Sequence, residues 1–116
     1  MERQRDWWVV PEPLRLTTAH DRGGVVRLAV DGEVDMATAD ALADAMTTVL
    51  DGPGVRRLVV DLAGVRFLAS SGISVLVTAY RHAHDRQVGF VVVNCQPMVE
   101  RTLGITGVDK LLCVNP

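Results

Sequence analysis

Residues 58–80 read LVVDLAGVRFLASSGISVLVTAY, an apolar run that stops at a short polar loop and restarts with a different period. Val59 and Val60 are β-branched and lie between Arg56-Arg57 and Asp61, which suits a central strand buried on both faces. Ile73, Leu76, Val77 and Tyr80 then recur at i, i+3, i+4 and i+7, the stripe of a helix packed on one side. A strand running straight into an amphipathic helix is part of a crossover, so the chain is read as α/β. The loop between them holds Ala69, Ser70, Ser71 and Gly72, and it presents polar groups on a rigid support.

A chain of 116 residues has room for one hydrophobic core and too little for two ordinary ones. The net charge of -2, with dispersed acidic residues, lacks the basic footprint of a nucleic-acid binder or a polybasic membrane anchor. Phe, Trp and Tyr are too few for a base-stacking platform. Cys95 and Cys113 each follow a valine-rich run and make no disulfide framework, so both are read as reduced thiols. No apolar stretch reaches the roughly 18 residues of a membrane span, and no leader-like segment opens the chain. The expected location is the cytoplasm.

Residues 1–13 form an N-terminal extension or edge segment, in which Trp7-Trp8 with Val9 and Val10 either packs on the domain or meets a partner. Residues 14–116 form the domain. Leu14, Leu16 and Thr18 alternate as in a half-buried strand, the stretch 21–24 is a turn, and Val26, Leu28 and Val30 mark the second arm of a hairpin. Gly32, near the end of that arm, signals a bulge. Leu42, Ala45, Met46 and Val49 give a helix over 37–50, with Asp35 or Thr38 as N-cap, and residues 51–54 (DGPG) end it. Asp35 either only caps this helix or also adds to a surface beside the serine loop. A strand over 56–62, a helix over 71–85, a strand over 88–93 and a short helix opened by Pro97 and closed by Gly104 follow. A last short strand is expected over 112–114. The order is β, β, α, β, α, β, α, β.

The serine loop is not of the G-x-S-x-G form and has no evident histidine beside it, so it lacks the parts of a hydrolase. It has no Gly-Lys-Ser/Thr run to cradle a nucleotide phosphate. His82 and His84 have no third ligand at metal-site spacing and are read as a solvated last helical turn. Two readings of Ser70 and Ser71 stand: a helix cap that satisfies an unpaired backbone N–H, or a modification site. A phosphate there would be held by the same N–H groups and would bring about two negative charges to a mild surface.

Three segments carry a resemblance: GEVDMATA (32–39), VVDLAGVRFLASSGISVL (59–76) and LGITGVDKLL (103–112). In this order and spacing, over about residues 14–114, the chain resembles the STAS-domain family, in particular bacterial anti-sigma factor antagonists. The resemblance implies a single STAS-like domain, a mixed four- or five-stranded sheet covered mainly on one side by helices. It implies a regulatory protein and not an enzyme, with no cofactor, no metal and no small-molecule substrate. The implied partner is an anti-sigma factor with serine kinase activity, which phosphorylates Ser70 and is bound only by the unphosphorylated protein; a phosphatase would restore binding. Asp35, Ala69, Ser70, Ser71 and Gly72 are the implied partner-binding residues, with Ser71 supporting the loop and capping the helix. The family usually has aspartate where this chain has Ala69, which leaves a second reading open: an adaptor or sensor that is not phosphorylated and docks to another regulatory protein or a small anion.

Overall fold

Alternating apolar residues at 26, 28 and 30, 58, 60 and 62, and 90 and 92 (valines and leucines except Phe90) all fall on one face of a sheet, and all are buried. The computed structural model describes residues 14–106. Strand β1 (Arg15–His20) turns through a short 3-10 segment (Arg22–Gly24) into β2 (Val25–Val34). Helix α1 (Ala39–Leu50), strand β3 (Arg57–Leu68), helix α2 (Ser70–Asp85), strand β4 (Gly89–Val93) and helix α3 (Pro97–Thr106) follow. The four strands lie in sequence order; β1 is antiparallel to β2, and β2, β3 and β4 are parallel. The expected mixed sheet, hairpin and central third strand are therefore present.

The helical stripes face the sheet as their spacing requires. Leu42, Met46, Val49 and Leu50 of α1, Ile73, Leu76, Ala79 and Ala83 of α2, and Val99 and Leu103 of α3 join the strand residues in one core. No polar or charged residue is buried among the described residues. At the far end of the helix pair, Nε2 of His82 lies 2.8 Å from Asp51 Oδ1, and the Arg86 Nε–H donates to the Leu50 carbonyl at 3.1 Å. The last turn of α2 is thus tied to the end of α1, where the sequence suggested a solvated turn.

Several boundaries differ from the sequence reading. β3 does not end at residue 62 but runs to Leu68, because β2 keeps pairing with it through two register shifts, at Ala29/Asp31 and Gly32/Glu33. The second shift is the expected bulge, and Gly32 there has φ 129°, a conformation that favours glycine. α1 starts at Ala39, two residues later than expected, since a turn occupies 36–38. α3 continues through Gly104 to Thr106; an isolated glycine weakens a helix without ending it. The readings that concern Trp7-Trp8, the strand over 112–114 and Cys113 lie outside the described residues.

Leu76 is fully buried where α2 meets the core, so Leu76→Ala removes packing that no neighbour can replace. The expected loss is about 2–5 kcal/mol of unfolding free energy, measured by urea denaturation followed by circular dichroism.

Candidate functional site

Parallel strands β2 and β3 end side by side. Val34 is the ladder partner of Leu68, and the Ala69 N–H donates to the Val34 carbonyl at 2.8 Å. Asp35 and Ala69 therefore leave the sheet as neighbours, although 34 positions separate them in the chain. In open sheets of parallel strands, the carboxyl end is where functional groups gather, because the following helices begin there. α1 and α2 both start at this edge and bring the positive ends of their dipoles to it.

Asp35 builds the turn ahead of α1. Its Oδ1 accepts from the Ala37 N–H (2.9 Å) and the Thr38 N–H (3.2 Å), while Thr38 Oγ1 accepts from the Asp35 N–H (3.0 Å). The Thr38 hydroxyl in turn donates to the Glu33 carbonyl at 2.8 Å. Of the two expected N-cap candidates, Thr38 occupies the N-cap of α1 but makes no side-chain cap bond; its reciprocal bonds with Asp35 close the turn before the helix, in the manner of a capping box. Asp35 remains only half-buried, so its carboxylate also contributes to the surface.

On the second strand the cap falls elsewhere than expected. Ala69, not a serine, occupies the N-cap of α2, with extended backbone and no side-chain cap. Its N–H is held by Val34 and its carbonyl accepts from the Gly72 N–H (2.9 Å) and the Ile73 N–H (3.1 Å), so the sheet itself fixes where the helix begins. Ser70 is the first helical residue and is exposed. The amides of Ser70 and Ser71 precede the first intrahelical hydrogen bond and belong to the unpaired donors of a helix start. Ser71 does not cap: its Oγ is buried with no hydrogen-bond partner. Gly72 is buried, and a Cβ there would lie 2.5 Å from Leu68 Cδ1 and 2.6 Å from Val34 Cγ1. It lets the first turn of α2 settle onto the ends of both strands and shapes the surface from beneath.

Two apolar side chains flank these residues. Met36, next to Asp35, is 85% exposed, and Phe67, two residues before Ala69, is 47% exposed. Sequence reasoning passed over both. Phe67 stands out only once β3 is known to reach Leu68, because its ladder partner is then the exposed Glu33. The arrangement is an exposed hydroxyl with a carboxylate and an apolar margin, which is suited to recognition.

Catalytic partners are not at hand. His82 and His84 lie 12 and 14 positions beyond Ser70 on the same helix, roughly 18–21 Å along its axis. His20 pairs with Val26 at the opposite end of the strands. No group of three or more His, Cys, Asp or Glu that could hold a metal occurs among the described residues. A groove of about 640 Å³ between β1 and α1 includes none of the five predicted site residues in its lining.

Residues 17–116 match the STAS domain. The chain belongs to the STAS-domain family. As a STAS domain it is a non-catalytic regulatory module. It is 37% identical over 101 residues to the anti-sigma-F factor antagonist RsfB of Mycobacterium tuberculosis, covering 86% of this chain and 80% of that protein. The crystal structure of an anti-sigma factor antagonist from Mycobacterium paratuberculosis superposes with a TM-score of 0.78 at 35% identity, covering 89% of this chain and 86% of that one. The STAS fold is shared at lower identity with SpoIIAA, an anti-sigma factor antagonist solved unphosphorylated (TM-score 0.75, 15% identity, 88% of each chain) and phosphorylated (0.69, 14%, 88% of this chain and 91% of that one). Among the described residues of this STAS domain, no helix is long and apolar enough to cross a membrane.

The two hydroxyl-bearing and acidic positions make opposite predictions for stability. Asp35→Ala removes the acceptor of two turn amides and is expected to cost about 0.5–2 kcal/mol. Ser71→Ala removes a buried hydroxyl that has no partner, so unfolding free energy is expected to stay level or rise by up to about 1 kcal/mol. Parallel urea titrations of the two variants check both; a clear loss for Ser71→Ala would mean that its hydroxyl is satisfied in solution.

Proposed function

We propose that this protein is an anti-sigma factor antagonist in which Ser70 is the phosphorylated switch. The observation that carries the reading is the exposed Ser70 hydroxyl at the first position of α2, beside Asp35, in a STAS chain similar to RsfB. Unphosphorylated, the protein binds an anti-sigma factor and so releases a sigma factor. The surface that binds comprises Asp35, Ala69 and Ser70, with Ser71 and Gly72 setting its shape and Met36 and Phe67 supplying apolar contact. The anti-sigma factor is itself the serine kinase, a phosphatase reverses its action, and the exchange takes place in the cytoplasm.

The physics of the switch is local. A phosphate on Ser70 lies at a helix start, where unpaired amides and the dipole favour negative charge, so the fold tolerates it. Outside the helix, the same phosphate adds about two negative charges beside the Asp35 carboxylate, in an interface that had been built around a neutral hydroxyl. Like charges and desolvation then oppose docking without any change of fold. Incubation with the cognate kinase and ATP is expected to place phosphate on Ser70, read by peptide mass spectrometry; phosphate only at other residues would sink the assignment. Ser70→Asp is expected to weaken anti-sigma binding at least about tenfold, or roughly 1.4 kcal/mol, with an unchanged circular-dichroism spectrum.

Ala69 supports a second reading. The aspartate usual at this position would add a carboxylate and hydrogen-bond acceptor next to the serine, and its absence suits an adaptor that docks to another regulatory protein or a small anion without being phosphorylated. Ala69→Asp separates the two. If the kinase recognises this edge, the substitution changes the phosphorylation rate or partner affinity, measured by phosphate incorporation and calorimetry; equal values for both proteins would make Ala69 neutral.

A further inference from the structure

The first turn of α2 is fastened at both ends and lightly held between them. Ala69 is tied through its N–H to the Val34 carbonyl, and Ile73 is the first residue of the helix to bury an apolar side chain. Of the three residues between, Ser70 is exposed, Ser71 carries a hydroxyl and Gly72 has no side chain. The turn closes where the Gly72 and Ile73 N–H groups donate to the Ala69 carbonyl, at 2.9 and 3.1 Å. Among the described residues, Ser71 Oγ is the one buried side-chain oxygen or nitrogen without a hydrogen-bond partner. Closing the turn takes this hydroxyl out of water and offers it nothing in exchange, and opening returns it. Segments that bury few apolar groups open at the low end of the free-energy range, and glycine adds backbone freedom to this one.

We infer that this turn is a latch: residues 70–72 open from the domain, the unpaired Ser71 hydroxyl sets how often, and phosphate is transferred to the open form. The inference rests on the reading of Ser70 as the phosphorylated residue. In the transfer, Ser70 Oγ forms a bond to the γ-phosphorus of ATP as the bond to ADP breaks, and a base of the kinase takes the hydroxyl proton. Attacking oxygen, phosphorus and leaving oxygen must lie in line, so a kinase cleft has to enclose the hydroxyl with the backbone on either side of it. In the closed turn that backbone is fixed against the sheet, Ala69 by its bond to Val34 and Gly72 by its close approach to Leu68 and Val34. Opening frees three residues without drawing an apolar side chain from the core. Docking of the partner uses the closed turn, and transfer uses the open one. Once phosphate is in place, the unpaired amides of the helix start hold it and the turn closes again.

Two measurements on the full chain test the latch. Native-state hydrogen exchange, followed by NMR, is expected to show the Gly72 and Ile73 amides exchanging faster than that of the fully buried Leu76. In Ser71→Ala their exchange is expected to slow about fivefold, the factor that corresponds to one unpaired buried hydroxyl. The rate at which excess cognate kinase and ATP place phosphate on Ser70 is expected to fall by the same factor, because only the open fraction reacts. Ser71→Gly also lacks the hydroxyl but loosens the helix, so in both measurements it is expected to run about twofold or more faster than Ser71→Ala. Equal exchange in the wild type and Ser71→Ala, or equal rates of phosphorylation, overturns the inference and leaves Ser70 as the switch. So does an equal loss of phosphorylation in Ser71→Ala and Ser71→Gly, which assigns the Ser71 hydroxyl to a contact with the kinase. No phosphate on Ser70 in any of the three proteins overturns the reading of Ser70 as the switch as well.

Discussion

Parallel pairing of β2 with β3, carried past two register shifts to the Ala69–Val34 hydrogen bond, is the constraint on which the candidate functional edge depends. Without it β3 would stop near Leu62, and α2 would start from a loose loop. With it, the last residue of the sheet on one strand is tied to the N-cap of a helix on the other. The glycines at two points make this possible. Gly32 takes up the backbone shape of the bulge, and Gly72 leaves room for Val34 and Leu68 beneath the first turn of α2. Ser70, Ser71 and Gly72 are thereby mounted on regular structure with its own core support, while Asp35 sits in a hydrogen-bonded turn.

That mounting matters for the proposed role of this edge in binding. A side chain on a helix start loses little further freedom when a partner docks, so more of the contact energy remains for affinity. The same rigidity separates the state of the surface from the state of the fold. The core contains no buried polar or charged residue among the described residues, so a charge added at Ser70 has no buried charge partner to disturb. Its effect falls on whatever lies across the interface. Met36 and Phe67 add exposed apolar surface near this edge, and Asp35 adds a carboxylate that already holds a turn.

Ser70 and Ser71 show how far adjacent, chemically identical residues can diverge. One position of a helix turns a side chain by about 100°, so one hydroxyl faces water and the next faces the domain. Residue chemistry leaves either serine open as the cap, and the family resemblance favours Ser71. The cap went to Ala69 because the extended backbone geometry of an N-cap continues the strand, and Ala69 is where the strand's last hydrogen bond is made. A rule based on side-chain preference could not see this, since the deciding partner, Val34, is remote in the chain.

The amino-acid sequence by itself determined the element types, the hairpin, the bulge at Gly32 and the central place of Val59 and Val60, because alternation and helical spacing are written into neighbouring residues. It also carried the STAS motifs, and with them the residues around Ser70. Tertiary structure alone decided how far β3 runs, which residue opens α2, that the Ser71 hydroxyl turns inward, and that Met36 and Phe67 border the same edge as Asp35. The division has one physical cause. Periodicity and turn chemistry act between residues a few positions apart, whereas strand length, helix start and exposure are settled by hydrogen bonds and packing between segments that only the folded chain brings together.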